Sequence, residues 1–367
     1  MAACERDITI DSPWDGDVLN RHDGVVSNGT LTATMRGQAW PGARVTVQGR
    51  DAAVGADGTF EAPMRLVPGE QTMPVRAESA SRSSAAEVRL VWDAASRPRY
   101  RFSVDDNVQF LRDLSLTPDD YPSLFDHWYL GFWRQMHEQY GAKIHLNIYY
   151  GDGADFTLPQ MPDKWRGEWR DNAGWLHLTF HARADKPDRI YKDATYDEMA
   201  GDIARVHEQI LRFAGEEVMS RWTTVHWAEC PRDAARAVRD AGYRGLIILA
   251  RAPGDACTTR YYLSPELCDH IASRDLSKDF DMDLMFLQCD QVVNSVSLAD
   301  VRPLLEKVAG NPHTGELIEL LIHEQYFRRD LERHYQPDVM DKVRTALEFV
   351  TERGYEPVFW QDEFLRD

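Results

Sequence analysis

The first part of the chain shows short runs of alternating apolar and polar residues and no helical period. Runs of strand length recur between turn signals such as Asn-Gly and Pro-Gly, and they read LTATMRG, ARVTVQG, GTFEAPMRL, TMPVRAES and EVRLVWD. Strands of this length at this spacing are typical of a small antiparallel β-sandwich. We therefore predict an all-β sandwich domain over residues 1–97, with the segment DAASRPR as a linker.

From Tyr100 onward the pattern changes to apolar runs of strand length that alternate with amphipathic helical stretches. The predicted strands are YRFSV, KIHLNIYY, WLHLTF, WTTVHW, GLIILA, MDLMFL, ELLIH and EPVFW. Several of the helical stretches between them end at a glycine, as helix C-termini often do. Seven or eight such units predict an α/β fold over residues 98–367, a (β/α)7-8 barrel of parallel strands. In such a barrel the chemistry lies at the C-terminal ends of the strands.

Two adjacent carboxylates end the first predicted strand, in the segment RFSVDDN. Successive side chains of a strand face opposite sides, so Asp105 and Asp106 can reach one site only if the chain turns there. Asn107 suits such a turn. One carboxylate can then bind a metal ion while the other acts as a base, and a solvated Asp-Asp turn is the alternative interpretation.

Two histidines, His177 and His181, lie four residues apart in the third predicted strand. In an extended chain their side chains would be about 13 Å apart, which is too far for one ion. The pair can bind a metal jointly only if the strand stops near Leu178 and the chain bends back, or if a helical turn aligns the two rings. The Leu-Thr-Phe run between them favours a strand, and two unrelated histidines are the alternative.

Polar and aromatic side chains also follow the middle strand, in WTTVHWAEC. His226 and Glu229 come after the strand, and Thr224 lies on the same face as His226. Trp227 is suited to form an apolar wall against a sugar ring. His226 is a candidate metal ligand or substrate contact, and a histidine that merely packs in the core is the alternative.

A late strand ends in the same way, in ELIELLIHEQYF, where His323 closes an apolar run and Glu324 follows it. A polar residue at the end of a buried strand is costly unless it has a partner, which favours a functional interpretation of His323. We interpret Asp290 and Asn294, in FLQCDQVVN, as residues of a structural turn.

A long tract at residues 156–175 joins the second and third strands, and barrel loops are seldom this long. We expect it to overhang the site and to shape the choice of substrate. Its tryptophans are candidates for stacking on sugar rings, the alternative being that they are core residues; they are Trp165, Trp169 and Trp175.

Charge and composition exclude several classes of partner. Sixty acidic against 42 basic residues give a formal net charge of −18, which repels phosphate backbones and anionic membranes. No run approaches 18 consecutive apolar residues, and no signal peptide is visible, so we expect neither nucleic acid nor a membrane as partner and a cytoplasmic location. The five cysteines are an odd number without a C-x-x-C pair, which favours free thiols.

The order of these motifs resembles the polysaccharide deacetylase family, carbohydrate esterase family four, over about residues 100–360. The resemblance implies a distorted (β/α) barrel and a divalent metal, usually zinc, with Asp106, His177 and His181 as ligands. It also implies that Asp105 is the base that activates water and that His323 is the acid that protonates the leaving amine. The N-terminal domain resembles the small Ig-like β-sandwich modules that are often appended to carbohydrate-active enzymes.

The chain departs from that family at three places. Its first motif reads Asp-Asp-Asn where the family has Asp-Asp-Gly, and Leu178 follows the first histidine where the family has Ser or Thr. The segment TTVHWAECP stands where the family has an arginine-and-proline motif. Metal binding tolerates these changes more readily than deacetylation does.

Three hypotheses for the function follow. The favoured one is a metal-dependent hydrolase that removes acetyl groups from a carbohydrate, with substrate contacts from His226, Trp227, Thr224, Glu324 and Trp175. In the second, the same barrel cleaves a C–O or C–N bond of a glycan, with Glu229 as the catalytic carboxylate. The third is a carbohydrate-binding protein without catalysis.

Overall fold

The computed structural model describes residues 7–249 and 260–364. The chain divides into two compact units. The first comprises Met1–Ser96 and the short segment Leu276–Asp281, and the second comprises Arg97–Asp275 and Met282–Asp367.

The first unit is a β-sandwich. Its N-terminal strands are β1 (Thr9–Ser12), β2 (Val18–Leu19), β3 (Gly24–Ser27), β4 (Thr30–Gln38), β5 (Arg44–Val47), β6 (Arg50–Asp51), β7 (Ala53–Val54), β8 (Thr59–Leu66), β9 (Gly69–Glu78) and β10 (Ser83–Trp92). One sheet has the order β1-β4-β8-β7 with β3 beside β4, and the other has the order β2-β10-β9-β5-β6. Alternate residues of β8 are buried, from Phe60 to Leu66, so this strand presents one face to the sandwich core.

The remaining strands and the helices follow in chain order. The strands are β11 (Arg99–Asn107), β12 (Ile144–Tyr149), β13 (Leu176–Ala182), β14 (Trp222–Thr223), β15 (Gly245–Ile248), β16 (Leu276–Asp279, in the first unit), β17 (Leu284–Gln288), β18 (Gln291–Val292), β19 (Leu317–His323) and β20 (Glu356–Pro357). The helices are α1 (Gln109–Leu116), α2 (Trp128–Tyr140), α3 (Arg166–Asp171), α4 (Tyr196–Phe213), α5 (Arg232–Asp240), α6 (Pro265–Arg274), α7 (Leu298–Ala309), α8 (Val339–Glu352) and α9 (Trp360–Phe364).

The second unit is a mixed α/β structure with parallel strands. One sheet has the order β13-β12-β11-β19-β18 with β20 beside β11, and β14, β15 and β17 pair side by side in another. Backbone hydrogen bonds join Leu178 of β13 to Val218 and Ser220, just before β14. The strand pairing of the described residues therefore shows two sheets in an α/β fold, whereas the single closed barrel expected from the sequence is not shown.

The larger parallel sheet has one apolar face and one polar face, and both faces are buried. On β11, Tyr100, Phe102 and Val104 belong to the main hydrophobic core, whose other members include residues of the helices. The residues between them point the other way and are polar yet buried, and they are Arg99, Arg101, Ser103 and Asp105. Buried polar groups are costly without partners, so this face must carry its own network of hydrogen bonds.

A buried ion pair forms the centre of that network. Two nitrogens of Arg101 lie 2.8 and 2.7 Å from the two carboxylate oxygens of Glu319 on β19. Ser103 and Trp360 donate to the same carboxylate at 2.9 and 2.7 Å, and Arg101 also contacts Nδ1 of His145. These bonds fix β11, β12 and β19 against one another below their C-terminal ends.

No helix among the described residues combines the length and the apolar character that crossing a bilayer requires. Of the five cysteines, Cys230 and Cys289 are buried thiols outside any disulfide. Cys4 and Cys257 lie outside the described residues.

Candidate metal centre

A bulge at the end of β11 brings its two terminal aspartates to one site. The register between β11 and β12 shifts between Val104 and Asn107, and Asp106 has a left-handed φ of 62°. A bulge of this kind lets neighbouring side chains of a strand point to the same region. The carboxylates of Asp105 and Asp106 therefore both lie close enough to His181 and His323 for the charges of these histidines to lower their pKa values.

Three atoms that can bind a metal converge next to this bulge. Oδ1 of Asp106 lies 3.1 Å from Nε2 of His181 and 3.4 Å from Nδ1 of His226, and the two nitrogens are 3.3 Å apart. Within the described residues, these three form a group whose ligand atoms all lie within 4.8 Å of one another. All three side chains are at most 13% exposed.

His181 reaches the centre because it is the penultimate residue of β13. Its Nδ1 contacts the backbone carbonyl oxygen of Thr224, and a carbonyl can only accept, so Nδ1 carries a proton. Nε2 then faces Asp106 and His226. Metal-binding histidines are commonly oriented in this way, by donating their second N–H to a carbonyl or carboxylate.

His226 reaches the centre from the segment that follows β14. The chain leaves that strand through a short 3₁₀ turn in which Trp227 and Ala228 have left-handed φ values of 65° and 45°. Such values are unusual for residues other than glycine and often occur at functional sites. The turn aims Nδ1 of His226 at Asp106 and His181, and the hydroxyl of Tyr149 lies 2.9 Å from the same nitrogen.

In the centre, the aspartates and histidines stabilise each other's charged forms. Burial alone would raise the pKa of Asp106, but hydrogen bonds from His181 and His226 and the charge of His323 outweigh it and hold the pKa well below its ordinary value. Burial opposes protonation of His181, yet Asp105 and Asp106 outweigh it and raise the pKa of this histidine. Burial raises the pKa of Asp105 above its ordinary value, although His181 and His323 oppose the shift.

Neighbouring side chains hold the carboxylates in place. Gln325 donates to Oδ2 of Asp106 at 2.7 Å, and the hydroxyl of Tyr149 donates to Oδ1. Asn147 donates to Asp105. These donors come from β12 and from the segment after β19, so strand ends that are distant in sequence position the two aspartates together.

His323 ends β19 directly beside Asp105 in the register of the sheet. Its Nδ1 lies 2.9 Å from Oδ1 of Asn294, whose oxygen can only accept, so Nδ1 carries a proton and Nε2 is the nitrogen left for exchange. Asn294, which the sequence suggested was only a turn residue, thus sets the tautomer of His323.

His177 does not join the centre, and this corrects the ligand set that the family resemblance implied. β13 continues as a strand from Leu176 to Ala182, so the bend near Leu178 that would have joined His177 to His181 does not form. The ring of His177 instead stacks on Phe359, with 3.6 Å between the ring centroids. The second nitrogen near Asp106 belongs to His226 instead. Thr224, expected to bind substrate, accepts a hydrogen bond from His181 through its backbone carbonyl.

Glu324 has a structural role in place of the expected substrate contact. Its buried carboxylate accepts hydrogen bonds of 2.7 to 2.8 Å from the backbone N–H groups of Val108, Gln109 and Phe110. These groups begin α1, which has no side-chain cap of its own. Burial raises the pKa of Glu324 to about 7 although the three N–H groups favour the charged form.

Trp227 and Glu229 lie at the exposed edge of the centre. The indole of Trp227 is 42% exposed, and the guanidinium of Arg189 lies 5.3 Å from its ring centroid. Arg189 is also 3.4 Å from one oxygen of Glu229, whose other oxygen is buried without a hydrogen-bond partner among the described residues. Trp227 is thus partly exposed beside His226, and Glu229 faces the guanidinium of Arg189.

The other tryptophans proposed for sugar stacking are part of the core. Trp165 and Trp169 are almost fully buried, and Trp175 packs between Phe125 and His137 at the opposite end of β13 from His181. The tract at residues 156–175 contains α3 and contributes these residues to the hydrophobic core. Its expected role over the site therefore does not involve these rings.

The family resemblance left His226 out of the ligand set, although the sequence offered it as a ligand or substrate contact, and the supporting roles of Tyr149, Gln325 and Asn294 were not anticipated. Tyr149 had a detectable signal, because β12 reads IHLNIY and its polar residues alternate in step with those of β11 and β13. The segment after β14 marked His226 as a candidate, but its path depends on two residues with left-handed φ and could not be predicted.

The donor set fits a zinc-like cation. A tetrahedral ion with bonds of about 2.0–2.1 Å to nitrogen places neighbouring ligand atoms about 3.3–3.4 Å apart. The three observed separations, 3.1, 3.3 and 3.4 Å, are close to that spacing. Lone-pair atoms at this spacing repel one another unless a proton or a cation lies between them, and two imidazoles with one carboxylate are a common zinc set.

Comparison with known proteins gives limited matches. Residues 6–93 match the family described as glucodextranase, domain B. No curated protein matches the chain at a significant level. A CE4 family pseudoenzyme from Bacillus anthracis shares 9% identity, with 77% of this chain and 81% of that chain covered and a TM-score of 0.28. A β-glucuronidase of Parabacteroides merdae shares 9% identity, with 86% and 47% covered and a TM-score of 0.26. Both TM-scores are too low to assign this chain to either group.

Proposed function

We propose that this chain is a metal-dependent hydrolase that acts on a carbohydrate, most directly by removing acetyl groups, with a zinc-like cation held by Asp106, His181 and His226. The observation that carries the proposal is the mutual spacing of three ligand atoms at 3.1 to 3.4 Å at the ends of parallel strands. The finer assignment of the fold, a distorted barrel of the deacetylase type, belongs to the same proposal.

A bound cation of this class would act as a Lewis acid towards water and towards a substrate carbonyl. Asp105 is the base in this proposal, because it is next to the ligand Asp106 and its pKa is raised by burial, which favours proton uptake. Asn147 orients its carboxylate by donating to one oxygen, and the other oxygen remains for the proton.

His323 is the acid in this proposal. It lies beside Asp105 in the sheet, and its Nδ1 proton is committed to Asn294, so Nε2 can carry the proton that a leaving amine or alcohol needs. A base and an acid from neighbouring strand ends can act on opposite sides of the same bond.

Three observations support a carbohydrate as the substrate class. The order of the sequence motifs resembles the polysaccharide deacetylases, and residues 6–93 match a domain family described from a glucodextranase. Trp227 presents a half-exposed indole next to the ligand His226, and aromatic faces suit the apolar faces of sugar rings.

Acetate release from acetylated oligosaccharides tests the reaction. We expect the zinc-loaded protein to release acetate from at least one N-acetylated chito-oligosaccharide or O-acetylated xylo-oligosaccharide, and chelation to stop it. Asp105→Asn should keep the metal but lose about 10²–10⁴-fold in rate, since it removes a general base. Exposed Asp193, in the loop after β13, provides the control Asp193→Asn, which should retain full activity.

The second reaction, cleavage of a C–O or C–N bond within a glycan, predicts a different product. A shortened or rearranged glycan without free acetate, formed in a Glu229-dependent way, would replace the deacetylase proposal. Binding of glycan without any product would favour the carbohydrate-binding hypothesis.

A further inference from the structure

The two ring nitrogens of His226 have unequal surroundings. Nδ1 faces Asp106, His181 and Tyr149 at 2.9 to 3.4 Å. Nε2 is buried and has no hydrogen-bond partner among the described residues. His181 differs in this respect, because its second nitrogen donates to the carbonyl of Thr224.

Binding a cation through Nδ1 fixes the proton of His226 on the other nitrogen. A neutral imidazole carries one proton, and the nitrogen that binds a metal must offer its lone pair. The Nε2–H group would then be a buried donor without an acceptor, which destabilises this arrangement. The centre is therefore incomplete unless an acceptor reaches Nε2.

Asp185 is the acceptor within reach. Its Oδ1 lies 3.7 Å from Nε2 of His226, just beyond a hydrogen bond, and its side chain is 55% exposed. An ordinary N–H···O length of about 2.9–3.0 Å requires a movement of about 0.7–0.8 Å. Asp185 belongs to the loop of residues 183–195, between β13 and α4, so the strand that supplies His181 also leads into this loop.

We propose that Asp185 is a positioning residue of the metal centre: it accepts the Nε2 proton of His226 and thereby holds Nδ1 towards the cation. This inference rests on the metal centre proposed above and names a member of it that no sequence motif indicated. The same loop carries Arg189, which contacts Trp227 and Glu229 in the segment after β14. A hydrogen bond between Asp185 and His226 would therefore bring the loop closer to that segment.

Zinc affinity measured by competition with a chromophoric chelator tests the proposal. Loss of a carboxylate that orients a metal-binding histidine typically weakens binding by about 10–100-fold, and we expect this for Asp185→Asn. Asp185→Glu should recover part of the loss. The control Asp193→Asn makes the same charge change on an exposed residue of the same loop and should stay within about three-fold of wild type.

A second measurement separates orientation from a simple effect of charge. In zinc-loaded protein with ¹⁵N-labelled histidine, we expect the Nε2–H resonance of His226 to be protected from exchange, and to lose that protection in Asp185→Asn. An unchanged zinc affinity in Asp185→Asn, or equal protection in both proteins, would overturn the role of Asp185. Failure of the wild-type protein itself to bind zinc would instead overturn the proposed centre.

Discussion

Individual side chains in the centre act through atoms that their residue types alone do not reveal. Thr224 contributes a backbone carbonyl, and Asn294 fixes the tautomer of His323. The hydroxyl of Tyr149 contacts two of the three ligand residues, Asp106 and His226. At this scale the hydrogen bonds decide how the candidate ligand residues are oriented. Orientation matters because a ligand atom binds a cation only when its lone pair points at the site.

Replacing Tyr149 with phenylalanine removes a donor that holds Asp106. Supporting groups of this kind typically contribute about ten-fold or more to metal affinity, so we expect Tyr149→Phe to weaken zinc binding by about ten-fold in a chelator competition titration. Tyr243→Phe is the matched control, because it also removes a buried, hydrogen-bonded hydroxyl, at a position that contacts Thr179 and His207 and none of the ligands. Zinc binding as tight in Tyr149→Phe as in wild type would contradict this role.

At the scale of elements, the course of two strands decides which residues meet. β13 stays extended through His181, which separates that residue from His177, and the bulge of β11 brings Asp105 and Asp106 together. Glu324 acts on an element as well, by capping the start of α1 with three backbone hydrogen bonds.

Replacement of Glu324 by glutamine tests the capping role against the substrate contact expected from the sequence. Glutamine has one acceptor oxygen and cannot accept all three bonds, so we expect the free energy of unfolding to fall by about 1–3 kcal/mol. Zinc affinity should stay within about three-fold of wild type. A stable variant that has lost only carbohydrate binding would restore the interpretation of Glu324 as a substrate contact.

Much of the element pattern was predictable from the sequence, and part of the site was. The alternation in RYRFSVDD, IHLNIY and LHLTFHA follows the period of a strand, and it already placed Asp106 and His181 at strand ends. The same alternation argued for an extended β13 and hence against a joint site for His177 and His181. The motif resemblance favoured the pair, and the strand geometry prevailed.

The sequence offered His226 as a candidate but did not pair it with His181. His226 lies next to His181 because the chain just before β14 is hydrogen-bonded to β13, and because Trp227 and Ala228 turn the chain with left-handed φ values that the sequence does not reveal. Contacts of this kind depend on packing between distant segments, and local patterns carry no information about them.

Across the whole molecule, a chain with a net charge of −18 buries several carboxylates. Asp275 is buried, and Asp290 and Glu319 lie close enough to influence its pKa. Burial, followed by mutual repulsion, raises the pKa of Asp275 well above its ordinary value. Burial and repulsion therefore favour the protonated form of this pair in the folded protein.

This pair predicts that stability declines as the pH rises above the ordinary carboxyl range. A carboxyl whose pKa is higher in the folded than in the unfolded state stabilises the fold fully below its unfolded pKa, near 3.8, and this stabilisation is lost as the pH rises through the folded pKa. Asp275→Asn keeps the shape and can donate to Asp290, so its thermal midpoint should fall less than that of wild type between about pH 5 and pH 9. The control Asp193→Asn should follow the wild-type curve. Parallel curves for wild type and Asp275→Asn would contradict a contribution of this pair to the pH dependence.

The central claim is that Asp106, His181 and His226 hold a cation and that His177 does not. Elemental analysis of purified protein tests it most directly, with wild type, His226→Gln and His177→Gln compared after identical loading with zinc and with folding checked by circular dichroism. We predict about one equivalent of zinc in wild type and in His177→Gln, and little in His226→Gln. Zinc that is lost in His177→Gln but retained in His226→Gln, or absent from all three proteins, would contradict the account.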